Sequence, residues 1–268
     1  MDGIEQYYPI VAIAIGPLII FVLFLMYIWY RDKYEKEPKA YVLLMFIWGA
    51  VSAVIALSVE STLGITGNNF LAMVVFVPIW EEALKGIGLL WFSKNPEYEG
   101  IMDGLVYGTA VGAGFALASD VFYGLSLLST GLASAVAAVI ARAIVEPVSH
   151  PFFSGYLGAE IGKINVKIPT KSGGHLELKI KGKEASLFLS FLTVVLMHSI
   201  WNYIAVTSLT DVFKASVYAI LIILLFLCLL MVKIKDGIVF DTLVYEQKRS
   251  KPKPETGQPR APPRRRSR

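Results

Sequence analysis

Residues 69–92 read NFLAMVVFVPIWEEALKGIGLLWF: an apolar run holding two acids, Glu81 and Glu82, and the base Lys85. A helix of about 20 residues covers the roughly 30 Å hydrocarbon core of a bilayer. The run is therefore predicted to cross a membrane, with its carboxylates near the middle. Working outward from it, six more apolar stretches of that kind occupy 9–30, 40–60, 104–128, 132–161, 185–206 and 212–234. The stretch 132–161 is too long for one straight span, and Pro147 and Pro151 within it remove backbone donors and predict a kink. The fold class that follows is an all-α integral membrane protein of about seven transmembrane helices.

Composition agrees with a membrane as solvent. Of 268 residues, 55% are hydrophobic and only 17% charged, too little polar surface to clothe a water-soluble globule of this length. The lone Cys228 allows no intrachain disulfide. Asp2 and Glu5 precede the first run, which lacks a small-residue cleavage site and reads as a retained span.

Charge fixes an expected orientation. Of 25 Lys and Arg, 22 lie on segments that an N-outside, C-inside, seven-span arrangement puts inside: 31–39, Lys94, 162–184 and Lys233 onward. Lys214 is the single outside one, and Lys85 and Arg142 fall within spans. Dropping one span would reverse every later loop and destroy this partition. The predicted location is the cell membrane, multi-pass, with the C-terminus cytoplasmic.

Two stretches stand apart from the spans. Residues 164–180 alternate apolar and polar on both sides of Ser172-Gly173-Gly174, a β-hairpin signal, with His175 in the turn. This gives a small inner-side hairpin insertion over 163–184. From Lys248 to Arg268 the chain is rich in Pro, Arg and Lys, and is expected to be a disordered tail that meets anionic lipid. The domain reading is thus a polytopic unit over 1–247 and a tail over 248–268. No nucleic-acid partner is expected.

Ionisable groups inside spans are functional hypotheses by default, because each is unfavourable by several kcal/mol unless paired or hydrated. Glu81 and Glu82 diverge by about 100° on a helix. Lys85, at i+4 and i+3, can neutralise one and leave the other for chemistry. Pro78, one turn earlier, opens the helix backbone. His198 and Asn202 share a face at i+4, where they can hold a metal, a water or a developing oxyanion. Arg142, Glu146 and His150 follow one another at i+4, with the first two satisfying each other. Gly104, Gly108, Gly112 and Gly114 form a smooth stripe for close helix approach. Asp120 either joins the site or accepts hydrogen bonds from a neighbour.

In order along the chain, these residues resemble the PrsW family of intramembrane proteases, relatives of the CAAX-processing (CPBP) membrane proteases. The likeness rests on the charged stretch 30–38 ending Glu37-Pro38, on Glu81-Glu82-Ala-Leu-Lys85 as EExxK, and on Asp103-Gly-Leu-Val-Tyr-Gly108. His150 and His198-Ser-Ile-Trp-Asn202 complete it. One position departs: after Gly114-Phe-Ala116 this chain has Ser119-Asp120 where the family has Glu-Asn, so no carboxylate stands at 119.

The resemblance implies a membrane-embedded endopeptidase acting on membrane proteins or membrane-anchored peptides. Glu81, Glu82, His150, His198 and Asn202 are the expected catalytic group, with Lys85, Asp120, Arg142 and Glu146 supporting. A Glu81 or Glu82 carboxylate would activate water. Glu81, Glu82, His150 and His198 would be the ligands if a metal, zinc for instance, is bound, although no HExxH spacing is present. Two other readings fit the same residues: a non-catalytic transporter or scaffold with a structural polar cluster, and a CAAX-type prenyl-protein peptidase.

Overall fold

The computed structural model describes residues 8–32, 36–65, 69–164, 167–169, 175–177, 183–207 and 212–249. Eight α-helices follow in chain order among these: α1 Tyr8–Arg31, α2 Lys39–Thr62, α3 Val77–Phe92, α4 Ile101–Ser126, α5 Leu132–Val145, α6 His150–Ile164, α7 Lys183–Thr207 and α8 Val212–Arg249. Five helical stretches among the described residues are long and apolar enough to cross a membrane; α5 and α6 together form one of them. Large apolar side chains such as Val11, Leu23, Leu43, Leu189 and Leu196 are exposed on the outer faces. That inside-out pattern is what a lipid solvent demands, since burying those residues gains nothing there.

α4 is the central helix, packed by α1, α2, α5, α6 and α8. Its glycines explain the position. A Cβ at Gly104, Gly108 or Gly112 would stand 2.1–2.2 Å from the carbonyl oxygens of Gly158, Ser154 and His150 in turn, so α4 and α6 meet backbone to backbone. On the opposite side Gly49 of α2 and Gly114 of α4 lie just as tightly against the carbonyls of Val111 and Phe46. The expected stripe thus serves two partners.

Several spans depart from straight helices. Before Pro78 the helix widens into a π segment, Ala72–Phe76, so its opening lies N-terminal to the proline. Between α5 and α6 the chain tightens to a 3₁₀ turn, Glu146–Val148, and Ser149 leaves helical geometry with φ −113° and ψ −109°. Pro147 and Pro151 bracket this break. The expected i+4 ladder from Arg142 through Glu146 to His150 therefore stops at Glu146, and His150 starts a new helix. The last helix runs beyond 234 to Arg249, and a buried Glu160 of α6 pairs with Lys233 of α8.

Two three-residue strands, β1 Lys167–Pro169 and β2 His175–Glu177, pair antiparallel with Ile168 opposite Leu176. His175, expected in the turn, opens β2 opposite Pro169. Residues 170–174 and most of the expected tail, 250–268, lie outside the described residues.

The connection from α1 to α2 is tied down by its own polar groups. Lys36 Nζ donates to the terminal carbonyls of α1 at Trp29 and Tyr30, 2.9 and 3.1 Å away, and Trp29 Nε1 donates to the Glu37 carbonyl at 2.9 Å. The Glu37 carboxyl is buried beside the Asp103 carboxyl and the Tyr107 hydroxyl, which brings the Glu37-Pro38 and Asp103-Gly104 motifs together. Burial first, then the Asp103 charge, pushes Glu37 up to about 11.

Two expectations follow. Gly108→Val should destabilise the protein by about 1–3 kcal/mol or more, read as a lower melting temperature in detergent, because the seam has no room for a side chain. Glu37 keeps its proton in the folded state and loses it near 4.5 when unfolded. Its contribution is therefore whole below 4.5 and is lost progressively as pH rises toward 11. Glu37→Gln, which cannot ionise, should flatten the alkaline decline in melting temperature while leaving acid stability unchanged.

Candidate active site

α3, α6 and α7 bring the polar groups of three separate spans to one place against α4. Glu81, Glu82 and Lys85 of α3, His150 at the head of α6 and His198 of α7 are all buried. Lys85 chooses Glu82: its Nζ lies 2.6 Å from Oε1, with neither side chain exposed. The same ammonium is 3.3 Å from His150 Nδ1 and sits over the Phe115 ring, 4.4 Å from its centroid. His198 Nδ1 donates to Glu82 Oε1 at 2.8 Å. One carboxylate oxygen thus accepts from a lysine and a histidine.

Glu81 is the odd member. Its Oε2 is buried without a hydrogen-bond partner, 3.7 Å from His198 Nε2. Glu81, His150 and His198 each offer one ligand atom, and the three atoms lie within 4.8 Å of one another. The two imidazoles meet edge to face with centroids 5.0 Å apart. Phe115 and Phe153 wall them, Phe153 stacking on His198 at 5.6 Å. A polar cluster enclosed by aromatic rings is shielded from water, and charge interactions inside it are correspondingly stronger.

Asn202 shares a face with His198, as its spacing suggests, and also reaches a second element. Its Nδ2 donates to the Met73 carbonyl at 2.9 Å, a backbone group of the π segment. It remains within hydrogen-bonding reach of His198. Asn202 therefore ties α7 to the irregular turn ahead of Glu81.

Asp120, Arg142 and Glu146 form a neighbouring group. Arg142 Nε donates to Asp120 Oδ1 at 2.8 Å, and Arg142 also bonds the Glu146 carboxylate. Of the two readings open for Asp120, the hydrogen-bonded one describes its Oδ1. Ser119, at the departing position, donates to the Ala116 carbonyl at 3.0 Å. Sequence reasoning passes over Glu60, whose Oε1 is buried without a partner and which lies within electrostatic reach of Glu81. It closes the second apolar run, where an acid reads as an interfacial residue; the signal was its position inside a helix of continuous hydrophobicity. The aromatic walls Phe115 and Phe153 carry no signal of their own in an apolar sequence.

Comparison with known proteins finds a profile described as PrsW family intramembrane metalloprotease matching residues 37–231. Among curated relatives, a Geobacillus kaustophilus protein named Protease PrsW is 27% identical over 187 residues, 68% of this chain and 75% of the relative. The Bacillus subtilis protein of that name is 25% identical over 202 residues, 74% of this chain and 83% of its own. A Clostridioides difficile counterpart is 27% identical over 181 residues, 65% of this chain and 71% of the relative. No solved structure matches.

The Lys85–Glu82 pair generates a stability test. Lys85→Met leaves a buried carboxylate uncompensated and should destabilise by about 3–5 kcal/mol in detergent unfolding. Adding Glu82→Gln to that variant should restore most of the loss, because the charge goes with its partner.

Proposed function

The chain belongs to the PrsW family of intramembrane proteases, and on that premise we propose how this membrane-embedded endopeptidase hydrolyses a peptide bond: Glu81 activates the attacking water. The observation that carries this is the unpartnered Glu81 Oε2 facing His198 Nε2 at 3.7 Å. His198 gives its Nδ1 hydrogen to Glu82, so its Nε2 is an acceptor. Two acceptors do not bond each other. They converge on a donor between them, which a water molecule supplies.

Each neighbour then has a task. Lys85 balances the Glu82 charge, and Glu82 holds the His198 ring in one tautomer. Glu81 takes the proton from water as it attacks the carbonyl carbon and passes it to the departing amine. His150, beside the same space, orients the water or the oxyanion. Asn202 keeps the Met73 turn in register with His198. The Asp120–Arg142–Glu146 group supports this arrangement from the side.

The family description includes a metal ion, and the residues fit one. Glu81, His150 and His198 would hold it, each through one ligand atom, and Glu82 stands behind His198 as an outer carboxylate does behind a ligating imidazole. Bound there, a zinc ion would polarise the scissile carbonyl and acidify water. Glu82, placed by the sequence among the ligands, gives its Oε1 to Lys85 and His198 and keeps Oε2 buried without a hydrogen bond.

Substrates are proposed to be membrane proteins or membrane-anchored peptides. The proposed topology is N-outside and C-inside, with the 163–184 insertion as a small hairpin cap on the inner surface, and it rests on the basic inner segments. In reconstituted vesicles with a membrane-anchored substrate, Glu81→Gln should lower the cleavage rate by about 10²–10⁴-fold with the melting temperature kept. Undiminished cleavage overturns the assignment. Metal content of the purified protein, compared with His150→Ala, reads the ligand set independently: stoichiometric zinc lost in the variant supports it.

A further inference from the structure

A groove of about 380 Å³ lies between α3 and α7, with Leu157 and Ile161 of α6 behind it. Ala83, Gly86 and Leu90 line one side and Glu184, Leu187 and Phe191 the other. Residues 83, 86 and 90 repeat at three and four and so share one face of α3. The groove is deep at Gly86 because glycine has no side chain; a Cβ there would already touch Leu157 at 3.3 Å. From Leu90 to Ala83 it runs about 10 Å along the helix. It ends at Ala83, the residue after Glu82, whose bond to His198 joins the same two helices.

We infer that this groove holds the apolar membrane segment of the substrate, leading it along α3 and α7 to the carboxylate cluster, with Glu184 receiving a basic residue at the segment's inner flank. The inference rests on the protease reading above and adds the docking surface and the charge it selects. Two features favour this occupant over a lipid tail. The groove lies between the two helices that carry Glu82 and His198 and ends at Ala83, next in the chain to Glu82, so a segment that fills it runs along the helices of the cluster. Its mouth carries an exposed acid, Glu184, at the end where α3 leaves and α7 begins. On the proposed topology that end is inner, and the inner flanks of membrane segments are rich in Lys and Arg. A phosphate-bearing lipid would meet like charge at the same point.

The test uses the full-length protein in phosphatidylcholine nanodiscs. The probe is a 20-residue Leu/Ala transmembrane peptide with a photoreactive side chain at its centre, made with either two lysines or two glutamates at the inner flank. The lysine peptide should crosslink to α3 and α7 in the 83–90 and 184–191 stretches, at least five-fold more than the glutamate peptide. Glu184→Lys, a surface change that leaves the fold intact, should reverse that preference. Ala83→Trp should lower crosslinking of the lysine peptide at least five-fold while the melting temperature stays within a few degrees. Labelling spread evenly over all helices, or unchanged charge preference in Glu184→Lys, overturns the inference. So does a photoreactive phosphatidylcholine that labels the groove and is not displaced by the lysine peptide. Crosslinking needs no turnover: a negative result with Glu81-dependent cleavage intact rejects the groove alone, and groove labelling with Glu81-independent cleavage rejects the catalytic assignment alone.

Discussion

The structure depends on the contact between α4 and α6, where glycines bring two backbones together without side chains between them. In lipid there is little hydrophobic drive for helices to associate, and close packing of small residues is what holds them. Gly112 rests on the His150 carbonyl and Gly108 on Ser154, so the seam sets the depth of His150 in the bundle. Gly114 and Gly49 do the same toward α2. The central helix is thereby gripped on two faces and becomes the frame against which α3 and α7 deliver their polar groups.

Within that frame, irregular backbone does the aiming. The π segment before Pro78 shifts the helix carrying Glu81 and Glu82 and presents a carbonyl that Asn202 satisfies. The break at 146–149 separates His150 from the Arg142–Glu146 pair, so that one basic and one imidazole group from adjacent turns of sequence serve different clusters. Irregular backbone in a bilayer is tolerated where protein covers it, and both breaks lie against neighbouring helices.

Three sets of buried ionisable groups answer the absence of water, each in its own way. Lys85, Glu82 and His198 share one carboxylate oxygen. Asp120, Arg142 and Glu146 form a chain of ion pairs. Glu37 and Asp103 remain compatible by sharing a proton, which ties the α1–α2 connection to the start of α4. A burial penalty met by pairing rigidifies the bundle; Glu82 is held through Oε1 by Lys85 and His198, whereas Glu81 Oε2 faces the His198 ring without a hydrogen bond.

Length and hydrophobicity by themselves determined that the chain is a helical membrane protein, because lipid permits few other backbones. Motif order determined its family, and the ionisable residues inside apolar runs announced most of the candidate site. Helical spacing also decided that Arg142 reaches Glu146 and that Lys85 reaches a glutamate, since i+3 and i+4 relations are local. Which glutamate Lys85 takes, that Asn202 turns to Met73, and that Glu60 approaches Glu81 were settled only by tertiary structure. Those choices depend on contacts between residues as far as 129 positions apart, such as Met73 and Asn202, and on how the glycine seam rotates each helix. The i+4 spacing of Glu146 and His150 does not become a contact for the same reason: a period of 3.6 assumes an unbroken helix, and the chain breaks it at Ser149, beside the two prolines, where α6 begins its seam with α4.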